Sequence, residues 1–192
     1  MIVEGVATTW DAAGRVNVAP LGPIVPDAPP TAWTELIFRP FPGSNTYANL
    51  REAREGVFHL TDDVLLIALA ATGDVSPSLA SCEILRGRRL VDCCRALEFR
   101  IVDWDESGER PRAIGHVVHQ TEGRPWGGFN RAGHAVLEAA VLATRLHLTG
   151  KEFVQQELER LRIVVEKTAS PGERPAEAFA FLIEFVKQWS EG

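Results

Sequence analysis

A short turn rich in proline and glycine, residues 40–43, separates a strand-like segment from a helix-like one and constrains the fold around it. The two prolines end the strand because each lacks a backbone donor, and Gly43 permits a tight reversal. The first amides of the following helix have no intrahelical partner and lie at the positive end of its dipole. Such a junction can hold a phosphate, to which Arg39, Ser44 and Thr46 would add donors.

The same residues also have a purely structural interpretation. Ser44 is a good N-cap, and Thr46 and Asn49 lie on one polar face of the helix predicted over residues 45–54. Many strand-to-helix turns with this pattern bind no ligand. The residues alone leave both interpretations open.

Composition indicates an ordinary globular protein. With 192 residues and 45% hydrophobic content, the chain can bury a substantial core. Its net charge of −6 argues against a nucleic-acid surface, because phosphate backbones need clustered Lys and Arg. Cys82, Cys93 and Cys94 lack metal-ligand spacing and fit a reducing compartment better than a disulfide framework. No signal peptide or membrane-spanning run is recognised, so we expect a cytoplasmic protein without a membrane partner.

Alternating apolar residues predict a mainly antiparallel sheet. Segments 2–9 and 16–20 form a predicted hairpin, and Pro20 and Pro23 favour an edge position for its second strand. Leu36 and Phe38 share one face of a third strand. Gly56 is expected to end the helix that follows. Later strands are predicted at residues 57–61, 94–103 and 112–121, while residues 72–90 show no clear pattern.

From residue 126 the pattern becomes helical. A helix over residues 132–148 is apolar around its circumference, so the sheet or a second subunit should cover it. Thr149 and Glu152 predict a capping box for a second helix, and a third helix should begin near Pro175. These patterns divide the chain into a β-rich region, 1–125, and a helical C-terminal subdomain, 126–192, that packs on it.

No side-chain set typical of hydrolases or metalloenzymes is recognised. His116 and His119 would point to opposite faces of a strand, and no Ser or Cys nucleophile lies in an elbow or triad pattern. Asp62 and Asp63 are interpreted as caps of the helix predicted over 64–71. No metal site is therefore predicted, and the catalytic residues are unknown.

Four ordered motifs resemble the DUF447 family, which belongs to the FMN-binding split-barrel superfamily related to flavin reductases and pyridoxamine phosphate oxidases. The motifs span residues 16–22, 39–50, 60–63 and 129–132. The resemblance implies an α+β, mainly β fold: a split β-barrel of about six antiparallel strands with a helical C-terminal subdomain. It also implies a homodimer that holds FMN near the subunit boundary.

The resemblance further implies which residues contact FMN. The phosphate and ribityl chain would lie against Arg39, Ser44, Thr46 and Asn49. The flavin ring would lie along Asn17, Ala19, Pro20, Leu21 and Gly22. Trp126 would either approach a partner's flavin or pack at the join between barrel and helices.

Two functions are consistent with this resemblance. The first is an FMN-dependent oxidoreductase of unknown substrate, and the second is a protein that binds FMN or another phosphorylated cofactor without turnover. The helical tail departs from the minimal barrel of the flavin reductases, and no nicotinamide fingerprint is present.

Overall fold

The computed structural model describes residues 1–190 and divides the chain into two compact units. The first unit contains Met1–Thr61 and Pro77–Pro125. The second contains Asp62–Ser76 together with the chain from Trp126 onward. The sequence-based division into residues 1–125 and 126–192 did not anticipate that segment 62–76 belongs to the second unit. The division into those two domains stays a prediction.

Eight strands lie in the first unit. They are β1 (Val6–Trp10), β2 (Val16–Pro20), β3 (Glu35–Phe38), β4 (Glu55–Leu60), β5 (Leu79–Ser81), β6 (Arg88–Leu90), β7 (Arg95–Asp105) and β8 (Arg112–Glu122). Six of them form one antiparallel sheet in the order β2-β1-β4-β7-β8-β3, and β5 pairs with β6 as a separate hairpin. The strands predicted from alternation are confirmed, whereas the β5–β6 hairpin occupies the segment that showed no clear pattern.

The sheet curves until its two edges meet at Ile24. The backbone of Ile24 exchanges two hydrogen bonds with Ile37, 2.8 and 3.0 Å long, just before the end of β3. On its other side the same segment pairs with the N-terminus, where the Val25 amide donates to the carbonyl of Met1 at 2.8 Å. Along β2 itself, no second strand of residues 1–190 pairs with the outer edge. This arrangement is a split barrel, which confirms the predicted fold class.

The barrel interior is filled by aliphatic and aromatic side chains. Phe38 and Phe99 stack with ring centroids 4.5 Å apart. A Cβ at Gly115 would lie 2.8 Å from the Phe99 ring, so that glycine lets the ring approach the sheet. The buried cluster consists of Val25, Trp33, Leu36, Phe38, Leu50, Phe58, Leu97, Phe99, Ile101 and Ala113.

Six α-helices accompany the strands within residues 1–190, besides a short 3-10 helix at Pro30–Ala32. They are α1 (Asn45–Ala53), α2 (Val64–Thr72), α3 (Arg131–Ala143), α4 (Leu146–Thr149), α5 (Lys151–Thr168) and α6 (Arg174–Gln188). Helix α1 belongs to the first unit, and the other five form the second. There α3 packs against α2, α5 and α6, so helices of its own unit cover its apolar surface. Within residues 1–190, no helix combines the length and apolar character needed to cross a bilayer.

Three predicted helix boundaries are wrong. Gly56 does not end α1, which stops at Ala53 with Arg54 as a left-handed cap at φ 58°. The long helix predicted over 132–148 breaks after Ala143. The capping box at Thr149 does not form, because its hydroxyl donates to the carbonyl of Arg145 at 3.1 Å.

A fully buried carboxylate holds the loop of the β5–β6 hairpin. Glu98 on β7 is 0% exposed and accepts three backbone hydrogen bonds from consecutive residues, Glu83, Ile84 and Leu85. The lengths are 2.7, 3.0 and 2.9 Å. Three amide donors compensate a buried carboxylate for its lost hydration. The hairpin is therefore fixed by a contact distant in sequence.

A buried histidine holds the base of the same hairpin. His59 lies on β4 with its Nδ1 3.0 Å from the carbonyl of Val6, and its Nε2 accepts from the Leu90 amide at 3.0 Å. This pair of contacts requires a neutral ring protonated on Nδ1. Burial lowers the pKa of His59 to about 4, so the ring is neutral near pH 7.

Candidate functional site

The opening of the split barrel lies between β2 and the loop that leads from β3 into α1. At one end it is closed by the bridge between Ile24 and Ile37. At the other end, Nδ2 of Asn17 donates to Oγ1 of Thr46 at 3.1 Å. The chain segments 17–22 and 39–46 therefore line opposite sides of one gap, as the sequence-based site requires.

Backbone groups of β2 and its continuation alternate between the neighbouring strand and this gap. The Leu21 amide donates to the carbonyl of Gly5 at 3.0 Å, on the β1 side. Because antiparallel strands alternate, the backbone groups of Asn17 and Ala19 also face β1. The backbone groups of Val18, Pro20 and Gly22 face the gap. The backbone groups of Ile24 point the same way and bond Ile37 of β3. The backbone groups that can bond a flat ligand thus belong to Val18, Pro20 and Gly22, and Pro20 contributes only its carbonyl.

Three predicted side chains join a buried polar network with Thr9. The Thr9 hydroxyl accepts from Nδ2 of Asn49 at 3.1 Å and from Nδ2 of Asn17 at 3.5 Å. Thr9 is 0% exposed, Thr46 5% and Asn49 7%. The side chains of Thr46 and Asn49 therefore fasten α1 to β1 and β2. Sequence reasoning missed Thr9, because one threonine in a strand carries no distinctive signal.

The start of α1 presents free donors beside this network. Ser44 is the N-cap, and its Oγ accepts from the Tyr47 amide at 3.1 Å. The amides of Asn45 and Thr46 precede the first intrahelical bond, which the Ala48 amide makes to Ser44. No acidic residue lies in the first turn to neutralise the positive end of the helix dipole. The observed cap confirms one structural role of Ser44 and leaves its hydroxyl proton able to donate to a ligand.

Arg39 lies directly after β3 at the mouth of this corner. Its side chain is exposed, and it forms no ion pair within residues 1–190. The pairing of Phe38 with Ala113 places Arg39 beside Arg112 at the start of β8. An exposed guanidinium at a helix start can reach an anion held there.

The remaining predicted residues line the β2 side in different ways. Ala19 and Pro20 are half-buried, and the Leu21 side chain packs partly against the barrel core. A Cβ at Gly22 would lie 2.9 Å from side-chain atoms of Ile2 and Glu4, so only glycine fits there without displacement. Trp126 is 51% exposed and belongs to the second unit. Within residues 1–190, no cluster of three His, Cys, Asp or Glu side chains could hold a metal ion.

Fold and gap together define a split-barrel protein whose opening is flanked by hydrogen-bond donors at a helix start. The chain belongs to the DUF447 family, whose N-terminal domain, described as "Protein of unknown function (DUF447)", matches residues 3–123. The C-terminal domain of the same family matches residues 130–184. The resemblance inferred from the four motifs is confirmed.

Solved structures share this fold. The FMN-bound DUF447 protein MM1853 from Methanosarcina mazei aligns with a TM-score of 0.80 and 21% identity, over 96% of this chain and 94% of that one. The FMN-binding protein from Thermus thermophilus with bound 1-cyclohex-2-enone aligns with a TM-score of 0.53 and 18% identity, over 64% of this chain and 76% of that one. The flavoredoxin of Desulfovibrio vulgaris aligns with a TM-score of 0.51 and 12% identity, over 64% of this chain and 70% of that one. No curated protein matches the sequence.

Proposed function

We propose that this protein binds FMN in the gap of the split barrel, with the phosphate at the start of α1 and the flavin ring along β2. One observation carries the proposal: segments 17–22 and 39–46, distant in sequence, line one gap between the Ile24–Ile37 bridge and the Asn17–Thr46 bond. The FMN-bound protein of M. mazei and the FMN-binding protein of T. thermophilus have the same fold, which supports the choice of cofactor.

The donors at the corner fit a phosphate. The free amides of Asn45 and Thr46 and the Ser44 hydroxyl lie at one helix start, and the exposed Arg39 precedes the loop that leads to it. Together they supply both directional hydrogen bonds and positive charge. Thr46 would contribute its amide, and its hydroxyl, which accepts from Asn17, keeps a proton that it can donate. Asn49 would act indirectly by fastening α1.

The β2 edge fits the ring. A flavin has a planar apolar body and a polar pyrimidine edge, so it needs backbone donors and acceptors in one plane. The outward-facing groups at Val18, Pro20 and Gly22 supply these. Bound FMN would supply redox chemistry, while the protein positions it and controls access to it.

We further propose an oxidoreductase whose FMN lies at a homodimer boundary. The gap is open along β2, where no strand of residues 1–190 covers it, so a second subunit would complete the enclosure. The alternative is an FMN binder without turnover. If FMN binds but neither NADH nor NADPH reduces it, the alternative gains. A monomer by sedimentation with FMN present would exclude the boundary site.

The decisive experiment compares FMN with riboflavin, which lacks the phosphate. Wild-type protein should bind FMN more tightly than riboflavin, measured by quenching of flavin fluorescence. Replacement of Arg39 by Ala should weaken FMN binding by about 1.5–3 kcal/mol, because a charge-assisted hydrogen bond is lost. Riboflavin affinity should not change.

A matched control is Arg86→Ala, which removes an exposed arginine from the turn of the β5–β6 hairpin. This variant should bind FMN as the wild type does. The proposal fails if wild-type protein binds neither flavin, or if Arg39→Ala leaves FMN affinity unchanged.

A further inference from the structure

The turn between β7 and β8 touches the start of α1 through Glu106. Its Oε1 accepts from the Tyr47 hydroxyl at 2.7 Å and from Nε1 of Trp104 at 2.9 Å, and it lies 3.3 Å from Arg51. The hydrogen bond from Tyr47, followed by that from Trp104, lowers the pKa of Glu106. The carboxylate therefore ties this turn to the first turns of the helix.

The same turn makes a second contact through Arg110. Its guanidinium carbon lies 5.6 Å from the centroid of the Phe41 ring, within the range of a cation–π interaction. Phe41 belongs to the loop before α1, and its carbonyl accepts from the Ser44 amide at 3.1 Å. Arg110 thus contacts a residue of the tight turn that leads into the helix cap. The Phe41 ring that it contacts is itself 57% exposed.

Of the three carboxylates at this turn, Glu109 is exposed and adjacent to Arg110 in the chain, and the other two make contacts elsewhere. Glu106 bonds Tyr47 and Trp104, and Asp105 accepts from the Ser107 amide and pairs in register with Arg112. Arg110 is exposed and forms no ion pair within residues 1–190. The loop therefore carries two arginines without carboxylate partners, Arg39 at its start and Arg110 stacked on its middle.

We propose that Arg110 is a second phosphate-binding residue and makes the site selective for phosphorylated flavin. This inference rests on the proposed FMN site. A phosphate at the start of α1 is close to a dianion near pH 7, so one guanidinium leaves part of its charge uncompensated. The contact with Phe41 keeps the guanidinium near the loop before the ligand arrives, which lowers the entropy lost on binding. Sequence reasoning missed Arg110 because it lies about 70 positions from the loop it contacts.

The test measures FMN and riboflavin affinities for wild-type protein, Arg110→Ala, Arg110→Lys and the control Arg86→Ala. We expect Arg110→Ala to weaken FMN binding roughly 10- to 100-fold and to leave riboflavin affinity unchanged. Arg110→Lys should recover part of the FMN affinity, since it keeps the charge but loses the planar fork. Thermal melting checks that each variant is folded, as expected for an exposed turn residue.

The outcomes separate this inference from the one on which it rests. If wild-type protein binds FMN but Arg110→Ala binds it equally well, the role of Arg110 is overturned and the FMN site stands. Equal losses for FMN and riboflavin would also overturn it, because phosphate recognition would not be involved. If the wild type binds neither flavin, both proposals fall.

Discussion

At the residue level, polar side chains around α1 divide into two groups with different tasks. Thr46 and Asn49 are buried and bond to β1 and β2, whereas Arg39 and Ser44 remain at the mouth of the gap. Helical spacing predicted that Thr46 and Asn49 share a face, and they do. It could not predict that this face turns toward Thr9, because the direction of a helix face depends on how the helix docks.

His59 is a second residue whose environment the sequence does not reveal. Its ring is fully buried between the backbone of β1 and that of β6, and burial lowers its pKa to about 4 from the usual 6.5. Well above pH 6.5 the ring is neutral in both the folded and the unfolded chain, so His59 adds no pH dependence to the free energy of unfolding there. Between the two values only the unfolded chain binds the proton, so stability falls as the pH falls.

We therefore expect the folded state to lose about 2–3 kcal/mol between pH 7 and pH 4.5 through His59 alone. Urea unfolding of wild-type protein and of His59→Gln at both pH values isolates this contribution, since Gln keeps a donor and an acceptor but does not titrate. The wild type should lose more stability than the variant. If the His59 imidazole, assigned in NMR spectra by its absence from His59→Gln, titrated at or above pH 6.5 in wild-type protein, the expectation would be contradicted.

At the level of elements, alternation and caps predicted where strands and helices begin better than where they end. Asp63 caps α2 as expected, with its carboxylate accepting from the amides of Leu65 and Leu66. The end of α1 was misassigned because a glycine has several structural uses. Gly56 lies in β4, where a Cβ would come 2.8 Å from the Phe99 ring. The helix instead ends at Arg54, which adopts a left-handed conformation.

The cap at Arg54 gives a testable change in stability. A non-glycine residue at φ 58° is strained by its Cβ, so Arg54→Gly should raise the free energy of unfolding by about 0.5–1 kcal/mol. Arg54→Ala is the matched control and should give no gain, because it keeps the Cβ. Urea denaturation measures both. A gain of the same size in the alanine variant would show that the arginine side chain, rather than φ, is responsible.

The β5–β6 hairpin shows why one segment could not be predicted at all. Its strands have three residues each, and contacts with Thr8, His59 and Glu98 fix it in place. Interactions of this range leave no local pattern in the sequence. The candidate site was predictable only in part for the same reason: its two sides follow from local motifs, whereas Thr9 and Arg110 join it through tertiary contacts.

At the level of the whole molecule, α2 is the feature that a linear division misses. It is encoded between strands of the barrel but belongs to the helical unit. Its N-cap Asp63 also forms an ion pair with Arg174 at the start of α6. The buried residues Val64, Leu66, Ile67, Ala68 and Ala70 pack in the unit that contains α3 and α6.

A fragment limited to residues 1–125 should therefore expose the apolar surface of α2 and aggregate. Replacing residues 64–74 in that fragment with a Gly/Ser linker should increase its solubility. Size-exclusion chromatography of the two fragments makes the comparison. A monomeric, soluble fragment that retains α2 would show that this helix does not need the C-terminal helices as cover.

The position of α2 also has a consequence for synthesis on the ribosome. This apolar helix leaves the exit tunnel long before α6, which ends only at Gln188, has been translated. Until then this native partner does not exist, and the helical unit cannot be completed by the nascent chain. A chaperone that shields emerging hydrophobic segments should thus matter for the yield of this protein more than for a split barrel whose strands are uninterrupted.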